Sequence, residues 1–364
     1  MRLLDRFFGA GDPRIAWDGE VLSSEVLRAR VAGAAGWLRS RGLQPGDRVA
    51  LHLPHGPEAP VLLLACWVAG LVAVPLDLHH PPAQLAALTA RSGARLFVTS
   101  GRRGAALARG IEAERVVLQR EWSLPCAPPE PVPERAPEAP ALILWTSGST
   151  GAPKGVCIPR RAVDAFVEHW RERLGLGPTD RVAWAASLSF DLSLLDLGAS
   201  LSAGATLLPV PEACLALPGA LAPWLAEQGV TCLYTVPSAL DRAFPPGAAL
   251  PSTLRVLLSA GEALPPALAT RLRAALPPEG LLGNLFGPTE TNVSTAWLAP
   301  AGWDGDRVPI GRPCPYARVR LGEDGELLVA GGTLMSGYWG EPERARWDER
   351  DGERWLHTGD RARW

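Results

Sequence analysis

What most constrains this chain is an alternation of helical and strand-like runs that starts near its N-terminus. In SSEVLRARVAGAAGWLRSRGL, residues 23–43, Leu27, Val31, Ala34 and Leu38 recur at helical spacing, which keeps one face of the helix apolar. Ser23 or Ser24 can cap its start, and Gly42 can end it in a left-handed turn. RVALHL then reads as a strand, residues 57–70 as a helix, LVAVPLD as another strand and ARLFVTS as a further short one. Helices between apolar strands predict parallel sheets with helices on their faces.

A proline-rich stretch, LPCAPPEPVPERAPEAP from Leu124 to Pro140, interrupts this pattern. Proline lacks the N–H that a helix or central strand needs, so an extended surface connection is expected. The alternation then resumes. TCLYTV and LRVLLS are buried-strand candidates, and PPALATRLRAAL is a helix opened by prolines. From about Thr295 short β-like runs such as ARVRLG and GELLVAG alternate with glycine turns, which predicts a small β unit beside the α/β body.

Composition bounds the function classes. The 364 residues are 47% hydrophobic and 20% charged, a globular profile with room for sizeable cores. Thirty-six basic and 38 acidic residues give a net charge of -2, which supplies no field for nucleic acid or an anionic membrane. The longest apolar stretch, PVLLLACWVAGLVAVPL, is cut by Gly70 and Pro75, short of the roughly 20 unbroken residues a spanning helix needs. MRLLDRFFGAGD carries acidic residues and no long apolar core, a poor signal peptide. Cys66, Cys126, Cys157, Cys214, Cys232 and Cys314 are scattered with no C-x-x-C spacing, so reduced thiols in a cytoplasmic protein are expected rather than zinc or a disulfide framework. His79 and His80 precede two prolines and read as a loop.

The chemistry is concentrated in LILWTSGSTGAPKGV, residues 142–156. An apolar strand leads into Thr146, Ser147, Gly148, Ser149, Thr150 and Gly151, followed by Lys154. Glycines let the backbone approach an anion, hydroxyls and N–H groups donate to phosphate oxygens, and lysine adds charge. The lysine follows Pro153 and no Ser or Thr follows it, so this is not a G-x-x-x-x-G-K-[ST] loop. Further along come CWVAGLVAVPLD, SFDLSLLDL (Ser189 to Leu197), SAGEAL (Ser259 to Leu264), NLFGPTETNVSTAW (Asn284 to Trp297), GELLVAGGTLMSGYWG (Gly325 to Gly340) and HTGD (His357 to Asp360). In this order the series resembles the adenylate-forming superfamily of acyl-CoA synthetases, luciferases and the adenylation domains of nonribosomal peptide synthesis.

That resemblance implies an α/β fold forming the superfamily's N-terminal core, the AMP-binding part. Two α/β subdomains, about 1–190 and 191–300, would have helices packed on mostly parallel sheets. A small β-barrel-like subdomain would follow at about 301–364. The family's C-terminal lid, of about one hundred residues, carries a catalytic lysine and is expected to be missing here, leaving a chain that binds ligands and adenylates slowly. The implied reaction joins a carboxylate to ATP, giving an acyl-adenylate and pyrophosphate. By resemblance, Thr146 to Gly151 and Lys154 cover the β- and γ-phosphates. Thr289 contacts the α-phosphate and Glu290 helps hold Mg²⁺, the pair with catalytic roles. Asn284 contacts the adenine edge and Phe286 stacks on the ring, where the family commonly has tyrosine. Gly261, Glu262 and Gly287 lie in matching nucleotide motifs, and Asp360 accepts hydrogen bonds from the ribose hydroxyls.

The acid-binding pocket carries over as Asp191, Leu192, Leu195, Tyr234, Leu258, Ala260, Leu285, Val293 and Ser294. Asp191 matches the carboxylate that pairs with the ammonium group of an amino-acid substrate; it could equally cap a helix starting at Leu192. The lining is otherwise apolar apart from Tyr234 and Ser294, and lacks a second charge. It resembles prolyl adenylation enzymes that load a carrier protein, although Ser294 stands where cysteine is expected. The leading reading is therefore activation of a small apolar amino acid, proline first, for transfer to a carrier-protein thiol. The alternatives are an acyl-CoA synthetase for a small carboxylic acid and a non-catalytic nucleotide-binding relative.

Overall fold

A computed structural model describes residues 2–9, 11–118, 125–147 and 152–364. Among them the backbone builds three sheets. In the first, seven strands lie in the spatial order Gly337–Tyr338, Lys154–Pro159, Pro140–Thr146, Val72–Pro75, Arg48–His52, Ala94–Ser100 and Glu114–Leu118. Pairing is parallel from Pro140–Thr146 onward and antiparallel at the first two junctions. The second sheet has nine strands, in the order Arg312–Pro313, Thr295–Leu298, Leu281–Phe286, Val256–Ser259, Cys232–Thr235, Arg181–Trp184, Thr206–Pro209, Arg14–Trp17 and Glu20–Leu22. The third is a four-stranded antiparallel sheet of Ala317–Leu321, Glu326–Gly331, Glu353–Arg361 and Trp347–Arg350.

Strand pairing crosses the expected division near residue 190. Arg181–Trp184 belongs to the second sheet, and so does the hairpin near the N-terminus: Arg14 pairs with Thr206 and Ile15 with Leu207. Gly337–Tyr338, from the stretch assigned to the small β unit, pairs instead with Cys157 and Val156 of the first sheet. The physical reason is that an edge strand can receive any segment with free backbone groups, and such a partner leaves no side-chain pattern.

The expected elements form where their patterns place them. The first long helix spans Ser24–Ser40 and buries Leu27, Val31, Ala34 and Leu38, with the Ser23 hydroxyl accepting from the Val26 N–H at 3.4 Å. The next, Glu58–Ala69, buries nearly every side chain, as a helix apolar on all sides must. Its Trp67 Nε1 donates to the Ala141 carbonyl at 3.0 Å, joining helix to sheet. Among the described residues no helix is long and apolar enough to cross a membrane. Residues 125–139 form no helix or strand.

The proline-rich segment is not merely a spacer. It crosses the first helix where Gly33 leaves room: a Cβ on Gly33 would stand 1.4 Å from the Pro125 carbonyl oxygen. Three residues on, a Cβ on Gly36 would meet nothing within 4 Å. Helix propensity favours alanine over glycine by about 1 kcal/mol at either position, so local contact decides the sign. Gly36→Ala should raise the melting temperature. Gly33→Ala should lower it, by roughly 1–3 kcal/mol of stability as overpacking costs, in thermal unfolding followed by circular dichroism.

Candidate active site

The phosphate-loop residues that can be described stand at the base of a hairpin. Thr146 ends its strand and pairs directly with Lys154 at the start of the next; Ser147 is exposed beyond it. Gly148, Ser149, Thr150 and Gly151 lie outside the described residues. The Lys154 ammonium sits over the Tyr338 ring, 5.0 Å from its centroid. Tyr338 in turn donates its hydroxyl to Glu290 Oε1 at 2.7 Å. Burial first, and then the Glu290 carboxylate, hold that phenol proton tightly. The Met335 N–H donates to the Glu290 carbonyl at 2.8 Å, and Trp339 N–H to that of Gly155 at 2.7 Å. The fold thus brings Lys154 and Glu290, 136 positions apart in the sequence, to one tyrosine, the ammonium over its ring and the carboxylate at its hydroxyl.

Tyr338 was not among the expected site residues. Its signal was the run GELLVAGGTLMSGYWG, which marks a motif but does not say which side chain reaches inward.

Glu290 follows Thr289 in a turn after the strand Leu281–Phe286. Gly287 opens this turn, and a Cβ there would stand 1.7 Å from the Asn292 carbonyl oxygen, so only glycine fits. Asn284 is buried, and its Nδ2 donates to the Pro309 carbonyl at 3.0 Å. That bond assigns the amide orientation and leaves Oδ1 as an acceptor. Phe286 is half-buried beside the turn. Gly261 takes a φ of +83°, and Glu262 accepts from the Ser238 N–H and hydroxyl at 3.0 and 2.9 Å.

The carboxylates of this region sense one another. Asp191 is buried, and desolvation raises its pKa to about 6; the N–H groups of Asp191 and Leu192 partly offset this, while Glu290 pushes it up further. The capping alternative is not what forms: it is the Asp191 main-chain carbonyl that accepts from the Leu194 N–H, at 3.0 Å, and the π-helical turn Leu195–Ala199 that follows has no side-chain cap. Asp360 is also raised, by burial first and then by Glu290 and Glu326. The charge of Glu290 thus acts on both Asp191 and Asp360. Among the described residues no group of three or more His, Cys, Asp or Glu is arranged to hold a metal. A single hard carboxylate at Glu290 fits magnesium, which takes one or two carboxylates and completes its shell with phosphate oxygens and water.

Of the expected acid-pocket residues, Leu195, Tyr234, Leu258, Ala260, Leu285 and Val293 belong to the main apolar core, which runs from Leu3 to Leu356, with Leu192 packed against it. Tyr234 and Leu258 are paired across adjacent parallel strands. Ser294 is fully buried and donates its hydroxyl to Thr291 Oγ1 at 2.7 Å, so its polarity is satisfied internally. Beside this cluster opens a cavity of about 420 Å³, lined by Phe190, Leu192, Val236, Arg242, Gly261 and Glu262 among others. Of the expected pocket residues only Leu192 reaches it.

The family pattern described as AMP-binding enzyme matches residues 9–339. The chain belongs to the AMP-binding enzyme family. It is 36% identical over 348 residues to an L-proline--[L-prolyl-carrier protein] ligase of Pseudomonas fluorescens, covering 89% of this chain and 70% of that protein. A ligase of the same name from Streptomyces coelicolor is 34% identical, covering 86% of this chain and 66% of the relative. Phenyloxazoline synthase MbtB of a Mycobacterium species is 33% identical across 94% of this chain, but this is 30% of that longer protein. Among solved structures, the nonribosomal peptide synthetase FmoA3 bound to α-methyl-L-serine-AMP superposes with a TM-score of 0.87 at 28% identity, covering 98% of this chain and 43% of that one. IdnL7 gives 0.83 at 30% identity, covering 99% and 78%.

Burial of Asp191 has a thermodynamic sign. Its folded-state pKa, about 6, lies above the ordinary 3.8, so the folded chain binds this proton more tightly than the unfolded chain. The resulting loss of stability grows as pH rises from about 4 to about 6 and is complete above that. Asp191→Asn should therefore raise stability at pH 8, on the order of 2 kcal/mol, with the gain shrinking at pH 5. Thermal melts of both proteins at the two pH values measure it.

Proposed function

We propose that this chain activates a small apolar amino acid, L-proline first, as its aminoacyl-adenylate. The observation that carries this reading is the buried Asp191 carboxylate, raised by desolvation and by Glu290. A buried charge without a partner is costly, and a substrate ammonium or secondary ammonium supplies one. The apolar lining and the internally satisfied Ser294 hydroxyl favour a side chain that offers neither charge nor hydrogen bonds. The relatives named as prolyl-carrier-protein ligases support proline among such acids.

In this reading Asp191 anchors the amino group so that the substrate carboxylate faces the α-phosphate of ATP. A carboxylate oxygen attacks the α-phosphorus, the bond to the bridging oxygen breaks, and pyrophosphate leaves with that oxygen. Thr146, Ser147 and Lys154, with the loop residues between, bind the departing phosphates. Thr289 orients the α-phosphate. Glu290 would hold Mg²⁺, which when bound neutralises charge on the phosphate oxygens, and Tyr338 keeps Glu290 oriented. Asn284 Oδ1, left free as an acceptor by the bond to Pro309, suits the exocyclic amino group of adenine. Asp360 receives the ribose hydroxyls. Holding two anions in line is the main task, since a carboxylate is a weak nucleophile. In the whole protein the acyl group then passes to a carrier-protein thiol, releasing AMP.

The test is pyrophosphate exchange with a panel of amino acids and short fatty acids, using a version extended to its relatives' full length. Proline should give the highest rate. Its kcat/KM should fall as pH drops through about 6, where Asp191 takes up its proton. Asp191→Asn should lower kcat/KM for proline by at least about 100-fold, as loss of a buried charge-assisted contact does. Exchange with fatty acids and not with amino acids would overturn the reading in favour of an acyl-CoA synthetase.

A further inference from the structure

The turn that presents Asp360 is built in an unusual way. In the strand pair, Glu326 is opposite Arg361 and Leu328 is opposite His357. Thr358, Gly359 and Asp360 therefore face Leu327 alone, and the strand bulges outward. Gly359 takes a φ of +82° within it, a conformation that glycine reaches without strain. The bulge has three ties: the Thr358 hydroxyl donates to the Leu327 carbonyl at 2.8 Å, the Asp360 N–H to the Thr358 hydroxyl at 3.1 Å, and the Gly359 N–H to Glu326 Oε1 at 2.9 Å.

The other oxygen of Glu326 is held by His357, whose Nδ1 lies 2.8 Å from Oε2. Nε2 of the same ring lies 3.1 Å from Asp348 Oδ1. Carboxylates only accept, so satisfying both contacts requires both ring nitrogens to carry protons. The hydrogen bonds to Glu326 and then Asp348 accordingly raise the His357 pKa against some desolvation. Nearby charges are Arg346, 3.8 Å from Glu326, and Arg350 and Arg320, 3.1 and 3.8 Å from Asp348.

We propose that His357 is a positioning residue that fixes Glu326, and through it the Gly359 N–H, so that Asp360 is held at the place where it receives the ribose hydroxyls. The inference rests on the ribose role of Asp360 given above. His357 does not touch the nucleotide; it sets where the carboxylate points. Its influence is confined to the part of nucleotide affinity that comes from the ribose diol.

That restriction supplies the test. Binding of ATP and of 2′,3′-dideoxyATP to the chain is measured by titration calorimetry for the wild type, His357→Ala, Glu326→Gln and Asp360→Ala. The wild type should prefer ATP. His357→Ala should weaken ATP by about tenfold, the scale of one charge-assisted hydrogen bond, and leave the dideoxy analogue within about twofold. Glu326→Gln should follow it. In the wild type, the preference for ATP should decline as pH rises through the raised pKa of His357, because the neutral ring releases one carboxylate. Unchanged discrimination in Asp360→Ala would overturn the ribose role and this inference with it. Discrimination lost in Asp360→Ala but kept in His357→Ala would overturn the positioning role alone. Equal weakening of both nucleotides in His357→Ala would reduce the residue to general support. Should the variants not fold, a wild-type preference that is constant with pH overturns the proposal.

Discussion

The site depends on carboxylates drawn out of water: desolvation first, and the field of Glu290 after it, raise the proton affinity of Asp191 and Asp360. Glu326 adds to the effect at Asp360. Left to themselves such groups would separate or stay protonated. Backbone bonds, which carry no net charge, fix the Glu290 turn against the first sheet. The Met335 N–H holds the Glu290 carbonyl, Ser336 N–H that of Cys157, and Trp339 N–H that of Gly155. The segment between the third sheet and the strand Gly337–Tyr338 thus stitches the turn after the second sheet to the hairpin of the first. Tyr338 completes the arrangement, with its main chain in one sheet and its hydroxyl on Glu290.

Burial of an acid does not by itself make a cation site, as a comparison within one motif shows. Asp191 and Asp196 are five residues apart in SFDLSLLDL, and both are buried. Asp196 lies in the π-helical turn with no measurable exposure. Its oxygens approach the N–H groups of Ala185 and Ala186 without reaching hydrogen-bond geometry. Desolvation raises its pKa well above that of an ordinary carboxylate. Asp191 is shifted less, is met by two backbone N–H groups, and lies within the field of Glu290. Asp196 has no exposed surface, whereas Asp191 keeps 8%.

Much of this was legible in the sequence because it depends on local chemistry. The helix over Leu27 to Leu38 and the strands RVALHL and VLLS follow from periodicity and apolar runs, which burial enforces residue by residue. Motif order carried the site for a related reason: a turn such as FGPTE needs its glycine because Gly287 passes within 2 Å of the Asn292 carbonyl once a Cβ is added. What was not legible was pairing at long range. The hairpin Arg14–Leu22 joins a strand almost two hundred residues away through main-chain bonds, and no side chain records that. Tyr338 and His357 were missed for the same reason. Each acts by reaching a carboxylate contributed by another strand or turn, at Glu290, Glu326 and Asp348.

The field of Glu290 also sets how a cation at that position affects its neighbours. A positive group held against Glu290 offsets part of its field at Asp191 and Asp360, so those two carboxylates ionise more readily. Linkage makes this reciprocal: whatever ionisation at one position gains from a cation at another, that cation gains in affinity from the ionised partner. Interactions of this kind are strongest where water is scarce, and Asp191 is the most enclosed of the three. Under the proposed function, a cation at Glu290 therefore favours the ionised form of Asp191, which is the form that an ammonium group needs.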